Sequence, residues 1–117
     1  MGNKIAILIL SYNEENNIKD CIETAKFADE IIVIDSGSID DTTIIAERMG
    51  AKVIYNKMAG FAEQRNFALL QTNCEWVMYL DADERLTPDA VSEIKSIVEN
   101  GTRYAYEIRR MNIVFGE

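Results

Sequence analysis

The amino-acid sequence predicts an α/β fold in which a mainly parallel sheet is covered by helices on both faces. Apolar runs of strand length, rich in Ile and Val, alternate with segments of helical periodicity along the chain. Strands separated by helices of this length pair in parallel through right-handed crossovers. The predicted order is βαβαβαβαβ with no internal repeat or linker, and 117 residues suit a single domain over residues 1–117.

The first strand and helix follow from the first 28 residues. The apolar run KIAILIL, residues 4–10, predicts a strand buried on both faces. A helix is predicted over residues 14–28, with Asn13 as a candidate N-cap. Its apolar residues recur at helical spacing and form one stripe, made of Ile18, Cys21, Ile22 and Ala25.

The next segment repeats the pattern with a shorter helix. The run EIIVID, residues 30–35, is a second buried strand. Residues 36–43, SGSIDDTT, supply a turn and the start of a helix that ends at Gly50. The candidate caps of this helix are Ser38, Asp40 and Asp41. A third strand is predicted over residues 51–56.

A third helix, a fourth strand and a fourth helix complete the regular pattern. Residues 60–72 form a helix, and EWVMYL, residues 75–80, is a fourth apolar strand. The third helix carries Phe61, Arg65, Ala68 and Leu69 on about one face. Thr87 caps and Pro88 begins the fourth helix, whose apolar side carries Val91, Ile94, Ile97 and Val98. Residues 103–115 have mixed strand character.

Composition excludes several classes of function. The chain has no histidine, so a Ser-His-Asp or Cys-His nucleophile system cannot be built and carboxylates must carry any chemistry. The formal net charge of -8 disfavours nucleic acid as a partner. The six glycines form neither the dinucleotide fingerprint nor the P-loop. Two isolated cysteines, no signal peptide and no apolar run of bilayer length predict a cytoplasmic protein.

Polar residues follow three of the predicted strands at the ends where parallel sheets bind ligands. These residues are Ser11, Tyr12 and Asn13 after the first strand, Asp35 and Ser36 after the second, and Asp81 and Asp83 after the fourth. Alternation through DAD would place both acids on one side and Ala82 on the other. We therefore expect one candidate site at this edge.

Asp81 and Asp83 form a D-x-D pair of hard oxygen ligands. Mg²⁺ or Mn²⁺ uses one or two such carboxylates, with phosphate oxygens completing its coordination. An acidic protein would need such a cation to hold a nucleoside diphosphate. The alternative is a solvated turn that caps the next helix, and D-x-D alone does not decide between the two.

The sequence allows two interpretations for each of two other residues, Tyr12 and Arg65. Tyr12 either stacks on a base or packs half-buried with its hydroxyl in water. Arg65 either lies on the surface or donates to a ribose or phosphate. Sulfur and indole side chains are interpreted as core residues: Cys21, Cys74, Trp76, Met49, Met58 and Met78.

Five segments together resemble the family 2 inverting glycosyltransferases with the GT-A fold, a Rossmann-like nucleotide-diphospho-sugar transferase sandwich. The segments are ILSYNEENNIKDCI, ADEIIVIDSGSIDDT, GAKV, GFAEQRNFAL and WVMYLDADERLTP. Their order and spacing are far more specific than D-x-D alone, and the likeness is closest to the bacterial lipopolysaccharide core type. The resemblance implies transfer of a sugar, with inversion, from a nucleotide-diphosphate sugar to an acceptor hydroxyl in cell-surface polysaccharide or lipopolysaccharide synthesis.

The resemblance also implies roles for the residues at the sheet edge. Tyr12 would stack on the uracil of a UDP-sugar, with the Ser11 main chain beside the base. Asp35 would line the nucleoside pocket and Arg65 would face the nucleotide. Asp81 would approach the ribose, and Asp83 would ligate Mn²⁺ or Mg²⁺ on the diphosphate. The implied nucleotide-binding set is Ser11, Tyr12, Asn13, Asp35, Ser36, Arg65 and Asp81, with Asp83 and Asp81 as metal ligands.

Two departures from the family pattern bear on these roles. Many members carry DDGS after the second strand, whereas this chain has DSGS, so Ser36 replaces the acid that holds the uracil N3 hydrogen. The chain is also expected to lack the C-terminal acceptor-binding half. The carbohydrate or lipid-linked acceptor and the catalytic base would belong to that half, so no base is assigned. An apolar edge left by the last strand predicts self-association. The full-length protein could lie at the inner face of the membrane.

Rival functions differ in what they require. A fragment that binds nucleotide and metal without transferring sugar is the main alternative. A receiver-like signalling domain would need an acidic pair after the first strand, where this chain has SYNEE. A sugar nucleotidyltransferase would need a glycine-rich basic loop there, which this chain lacks.

Overall fold

A computed structural model describes residues 4–100, in which strands and helices alternate. The strands are β1 (Ile5–Ser11), β2 (Glu30–Asp35), β3 (Lys52–Tyr55) and β4 (Trp76–Asp81). The helices are α1 (Ile18–Thr24), α2 (Thr42–Arg48), α3 (Phe61–Leu69) and α4 (Pro88–Asn100). The predicted order is confirmed through α4, and the fifth strand predicted over residues 103–115 lies outside the described residues.

The four described strands form one parallel sheet in the order β3-β2-β1-β4. Ser11 pairs with Asp35 across β1 and β2, and Leu10 pairs with Asp81 across β1 and β4. The carboxyl ends of these three strands therefore meet at one edge of the sheet, where ligands bind in parallel α/β folds.

Helices cover both faces of the sheet, which explains the continuous apolar runs of the strands. The larger core cluster lies on the face covered by α1, α2 and α4 and includes Ile7, Ile9, Ile18, Cys21, Ile22, Ala25, Val33, Ala46, Met78, Leu80, Ile94 and Val98. The smaller cluster lies on the α3 face and contains Ala6, Leu8, Ile32, Ile34 and Ala68. The predicted sandwich is confirmed, and the sheet is more thickly covered on the first face.

The first helix is shorter than predicted. It spans Ile18–Thr24 rather than residues 14–28, although the predicted apolar stripe is fully buried. Asn13 has a φ of 53°, in the left-handed region that ends a regular element. The expectation that Asn13 caps α1 is therefore wrong: a turn separates it from the helix.

Two helix ends have the predicted chemistry. Gly50 has a φ of 94°, and the Ala51 N–H donates to the Ala46 carbonyl at 3.1 Å, as in a Schellman motif at the end of α2. At the start of α4, the Thr87 hydroxyl accepts the Ala90 N–H at 3.1 Å. Sequence therefore located both boundaries.

The third helix packs on the sheet through only part of the face that the sequence suggested, since Ala68 of that face is buried as predicted. Phe61 is 68% exposed and Leu69 is 43% exposed, whereas the buried residues of α3 are Gln64 and Ala68. An amide, rather than an aromatic ring, is buried because it has hydrogen-bonding partners described below.

The assignment of sulfur side chains to the core is only partly correct. Met78 and Cys21 are buried with Trp76, whereas Met58 is exposed and Cys74 is half-buried. Met58 precedes α3 and lies in the wall of the candidate site instead. No helix within residues 4–100 is long and apolar enough to cross a membrane.

Candidate functional site

A cleft of about 290 Å³ opens at the edge where β1, β2 and β4 end. Its walls come from the strand ends, the turn after β4 and the start of α3. The lining residues are Leu10, Ser11, Tyr12, Glu14, Ser36, Met58, Phe61, Gln64, Asp81, Ala82 and Asp83. Three of these are acidic and none is basic, so the described walls of the cleft are anionic.

The cleft brings together many of the residues predicted for the site. Those that line it are Ser11, Tyr12, Ser36, Asp81 and Asp83. Tyr12 is 55% exposed, so its side chain is accessible to a ligand rather than packed in the core. Asn13, Asp35 and Arg65 are not among the lining residues.

Asp35 is buried and fully hydrogen-bonded. Its carboxylate accepts the Ser11 hydroxyl at 2.8 Å, the Ser38 hydroxyl at 2.6 Å, and the Gly37 and Ser38 N–H groups at 2.9 and 2.7 Å. Burial opposes ionisation, but these hydrogen bonds outweigh it and hold the Asp35 pKa below 3.8. A carboxylate has roughly four acceptor positions, and these four hydrogen bonds occupy them. Asp35 therefore shapes the loop after β2.

Asn13 joins the loop after β1 to the loop after β2. Its N–H donates to the Ser38 hydroxyl at 2.7 Å, and its side-chain Oδ1 accepts the Ile39 N–H at 2.9 Å. The Glu14 N–H continues this pairing by donating to Thr42 Oγ1 at 2.8 Å. These contacts tie the loop that carries Tyr12 to the loop after β2.

The residues at the start of α2 also contact the loop after β1. Asp41 is the N-cap residue but its side chain makes no capping hydrogen bond. Asp40 Oδ1 instead accepts the Thr42 N–H at 3.0 Å, and Asp40 Oδ2 accepts the Glu15 N–H at 3.2 Å. Asp40 therefore serves both the helix start and the loop after β1.

Arg65 lies against β4. Its guanidinium carbon is 5.3 Å from the centre of the Tyr79 ring, and the Tyr79 hydroxyl donates to the Arg65 carbonyl at 3.2 Å. The Arg65 Nε is buried without a hydrogen-bond partner among the described residues. Arg65 is therefore neither a simple surface residue nor part of the cleft wall.

The turn after β4 carries the D-x-D pair. Two hydrogen bonds between Asp81 and Glu84 close this turn. The Asp81 N–H donates to Glu84 Oε1 at 2.8 Å, and the Glu84 N–H donates to the Asp81 carbonyl at 2.9 Å. Ala82 is only 2% exposed, whereas Asp81 and Asp83 are exposed. The turn therefore anchors its middle residue in the core and presents both acids to the cleft.

The donor set fits a divalent cation shared with a ligand. Among the described residues, no hydrogen bond or ion pair engages the carboxylate oxygens of Asp81 or Asp83, and both residues line the cleft. No group of three or more His, Cys, Asp or Glu within residues 4–100 is arranged to hold a metal ion. Mg²⁺ and Mn²⁺ accept one or two carboxylates when phosphate oxygens complete the shell.

Cys21 supports the D-x-D turn from α1. Its Sγ donates to the Asp81 carbonyl at 3.5 Å. Burial raises the pKa of the Cys21 thiol to about 12; Arg85 opposes this rise, and the carboxylates of Glu84, Asp83 and Asp81 add to it. The thiol is thus a neutral donor and a poor nucleophile.

Sequence reasoning missed Gln64, which is buried in the cleft wall. Its Oε1 accepts the Asn56 side-chain amide at 2.9 Å, and its Nε2 donates to the Asn56 carbonyl at 2.9 Å. The Asn56 N–H in turn donates to the Asp35 carbonyl at 2.9 Å. This pair fixes α3 relative to β2; the only sequence signal was a glutamine on the sheet-facing side of a helix.

The comparisons with known proteins agree with this geometry. The model of the family described as glycosyl transferase family 2 matches residues 6–113. The chain belongs to glycosyltransferase family 2.

Relatives of this family 2 domain are considerably longer than the chain. An uncharacterized glycosyltransferase of Rickettsia bellii is 41% identical over 113 residues, which cover 93% of this chain and 38% of the relative. The lipopolysaccharide core biosynthesis glycosyltransferase LpsC of Rhizobium meliloti is 34% identical over 87 residues, covering 70% of this chain and 32% of the relative. The chain thus spans well under half of these relatives.

Solved structures of glycosyltransferases share the fold. Glucosyl-3-phosphoglycerate synthase of Mycobacterium tuberculosis, in complex with Mn²⁺, UDP and glucosyl-3-phosphoglycerate, superposes with a TM-score of 0.63 at 28% identity, over 70% of this chain and 35% of that one. TarS of S. aureus superposes with a TM-score of 0.67 at 23% identity, over 83% and 32%. The predicted GT-A fold of this family 2 domain is confirmed.

Proposed function

We propose that this family 2 domain binds a nucleotide-diphosphate sugar, with UDP-sugar preferred, together with Mn²⁺ or Mg²⁺. The single observation that carries the proposal is the presence in one cleft of an exposed aromatic residue, Tyr12, and two carboxylates, Asp81 and Asp83, that no described residue engages. An aromatic ring can stack on a nucleotide base, and the carboxylates can ligate the cation that accompanies a diphosphate.

The charge of the cleft supports the need for a cation. Glu14, Asp81 and Asp83 line it, and no lysine or arginine does among the described residues. A diphosphate placed against these acids alone would be repelled. A cation held by Asp83 and Asp81 would remove that repulsion, and when bound it would stabilise the negative charge of the departing diphosphate.

The nucleoside would lie in the cleft beside the two joined loops. Tyr12 supplies a stacking face, and Ser11 and Ser36 supply small polar groups in the cleft wall. Asn13 and Asp35 act from behind by fixing these loops through the hydrogen bonds already described. Arg65 is the basic residue of α3, and because its Nε has no partner among the described residues, it is the candidate on that helix for an anionic group of the nucleotide.

The reaction proposed for the whole protein is a single displacement with inversion. An acceptor hydroxyl oxygen bonds to the anomeric carbon while the bond to the diphosphate oxygen breaks, and the leaving diphosphate keeps the electron pair. A carboxylate base outside the residues assigned here would take the hydroxyl proton. The acceptor would be a carbohydrate or lipid-linked sugar in cell-envelope synthesis, on the cytoplasmic side of the membrane.

A second function, binding without transfer, is favoured by one observation. The chain spans only 38% of a relative to which it is 41% identical. If the acceptor and base depend on other parts of such a protein, this chain would bind donor and metal and release no product. Self-association through an exposed strand edge is a further proposal for the chain alone.

Calorimetric titration of the chain with UDP, in Mn²⁺ and in chelator, tests the donor site. We expect Mn²⁺-dependent binding of UDP in preference to CDP, GDP and dTDP, lost in Asp83→Asn. Asp89→Asn is the matched control, because Asp89 is an exposed acid on α4 that does not line the cleft. Equal binding by both variants, or no binding of any nucleotide, would overturn the proposal.

A further inference from the structure

One side chain connects the D-x-D turn to the start of α1. Arg85 Nη1 donates to the Asp83 carbonyl at 3.2 Å, while Nη2 donates to Asn17 Oδ1 and Asp20 Oδ2, both at 3.3 Å. Arg85 does not line the cleft. It therefore contacts the main chain of the proposed metal ligand without reaching into the space that a ligand would occupy.

The rest of the turn is also attached to α1, but at other residues. The Cys21 Sγ donates to the Asp81 carbonyl at 3.5 Å, and the Leu86 N–H donates to the Thr24 hydroxyl at 3.1 Å. Between these two points, Arg85 is the only described side chain with a hydrogen bond to Asp83. Without it, no side chain within residues 4–100 would donate to the Asp83 carbonyl.

A role in stability alone does not account for this arrangement. The Arg85 and Asp20 side chains are 38% and 66% exposed, and exposed ion pairs stabilise a fold little. A planar guanidinium with donors in a fixed fork, however, sets the relative position of the groups it joins. The consequence of the contact is therefore the position of Asp83 rather than the stability of the domain.

We propose that Arg85 is a positioning residue, which holds Asp83 in the orientation needed to ligate the divalent cation. This inference rests on the proposed metal and nucleotide site. Groups that orient a metal ligand without touching the metal typically change metal affinity by about 10- to 100-fold. Arg85 acts through a main-chain carbonyl, so we expect the lower end of that range.

The test measures UDP affinity in Mn²⁺ and in chelator for wild type, Arg85→Gln and Arg85→Lys, with melting temperatures of the ligand-free proteins. We expect Arg85→Gln to reduce the Mn²⁺ enhancement about tenfold. Its affinity in chelator and its melting temperature should stay near wild type, and Arg85→Lys should recover part of the enhancement. Arg48→Gln is the control, since Arg48 is exposed at the end of α2.

Each other outcome has a distinct meaning. If wild type shows no Mn²⁺-dependent binding, the proposed function fails and this inference fails with it. If wild type binds and Arg85→Gln keeps the full enhancement, only the role of Arg85 is overturned. If Arg85→Gln weakens UDP equally in chelator, Arg85 contacts the nucleotide itself, which also overturns the positioning role.

Discussion

The Ser11 hydroxyl donates a 2.8 Å hydrogen bond to Asp35 at the point where β1 and β2 pair and end. Both residues are buried, so the bond is protected from water. It ties together the two strands whose following loops form one side of the cleft. The geometry of the candidate site thus depends on a carboxylate that does not line it.

Asp35→Asn should lower the free energy of unfolding at neutral pH by about 2 kcal/mol, because an amide nitrogen would face groups that donate to the carboxylate. Urea unfolding measures this change. Asp89→Asn is the control: Asp89 is an exposed acid in the first turn of α4, and its replacement should cost no more than about 1 kcal/mol. A variant as stable as wild type would contradict the assigned role.

The same substitution should change the pH dependence of stability. The Asp35 pKa is lowered in the folded state, so its contribution is present above the ordinary value of 3.8 and is lost as pH falls through the folded pKa. The stability difference between wild type and Asp35→Asn should therefore be constant near neutral pH and shrink below about pH 4. A difference that grows in acid would have the wrong sign.

Asn13 provides a test of the link between the loops. Asn13→Ala loses the hydrogen bond to the Ile39 N–H and keeps a β-carbon at φ 53°, where a β-carbon is unfavourable. We therefore expect it to lower the free energy of unfolding by about 1 to 2 kcal/mol. Asn13→Gly relieves the conformational cost and should be the more stable of the two. Chemical denaturation compares them, and an alanine variant at least as stable as the glycine variant would refute the backbone assignment.

Gln64 should matter for both the fold and the cleft. Gln64→Ala leaves the Asn56 amide and carbonyl without their partner and should cost about 2 kcal/mol. Gln71→Ala is the control, since Gln71 lies just past the end of α3 and its side chain donates, among the described residues, only to the Phe67 carbonyl. Equal costs at the two positions, measured by urea unfolding, would mean that the Gln64–Asn56 pair is not specific.

The two cysteines should differ in reactivity. Cys21 is buried with a thiol pKa of about 12, whereas Cys74 is half-buried; burial also raises its pKa. A disulfide reagent at pH 8 should label Cys74 first and Cys21 only when the domain opens. Cys74→Ala isolates the second rate, and rapid labelling of that variant under native conditions would contradict the packing of α1 against the D-x-D turn.

Local pattern predicted most of the fold. β1 and most of β2 were found because both of their faces are buried, and the α1 stripe because its apolar residues recur at helical spacing. The candidate site was located because Tyr12, Asp81 and Asp83 follow strands that end at one edge.

The remaining features depend on partners that sequence does not specify. Gln64 is buried only because Asn56 satisfies its amide, and Asp35 is withdrawn from the cleft because Ser11, Gly37 and Ser38 occupy its oxygens. Such contacts between separate segments require the folded positions of both. The same limitation explains why Arg85 carried no signal in the sequence.

The central claim is that the cleft at the ends of β1, β2 and β4 binds a nucleoside diphosphate together with a divalent cation. Amide NMR spectra of the chain with UDP and substoichiometric Mn²⁺ test it most directly, with Mg²⁺ as the diamagnetic reference. We predict that paramagnetic broadening centres on Asp83 and extends to Tyr12 and Ser36, with Glu75 at the opposite edge of the sheet unaffected. Broadening centred on Glu75, or none that depends on UDP, would contradict the claim.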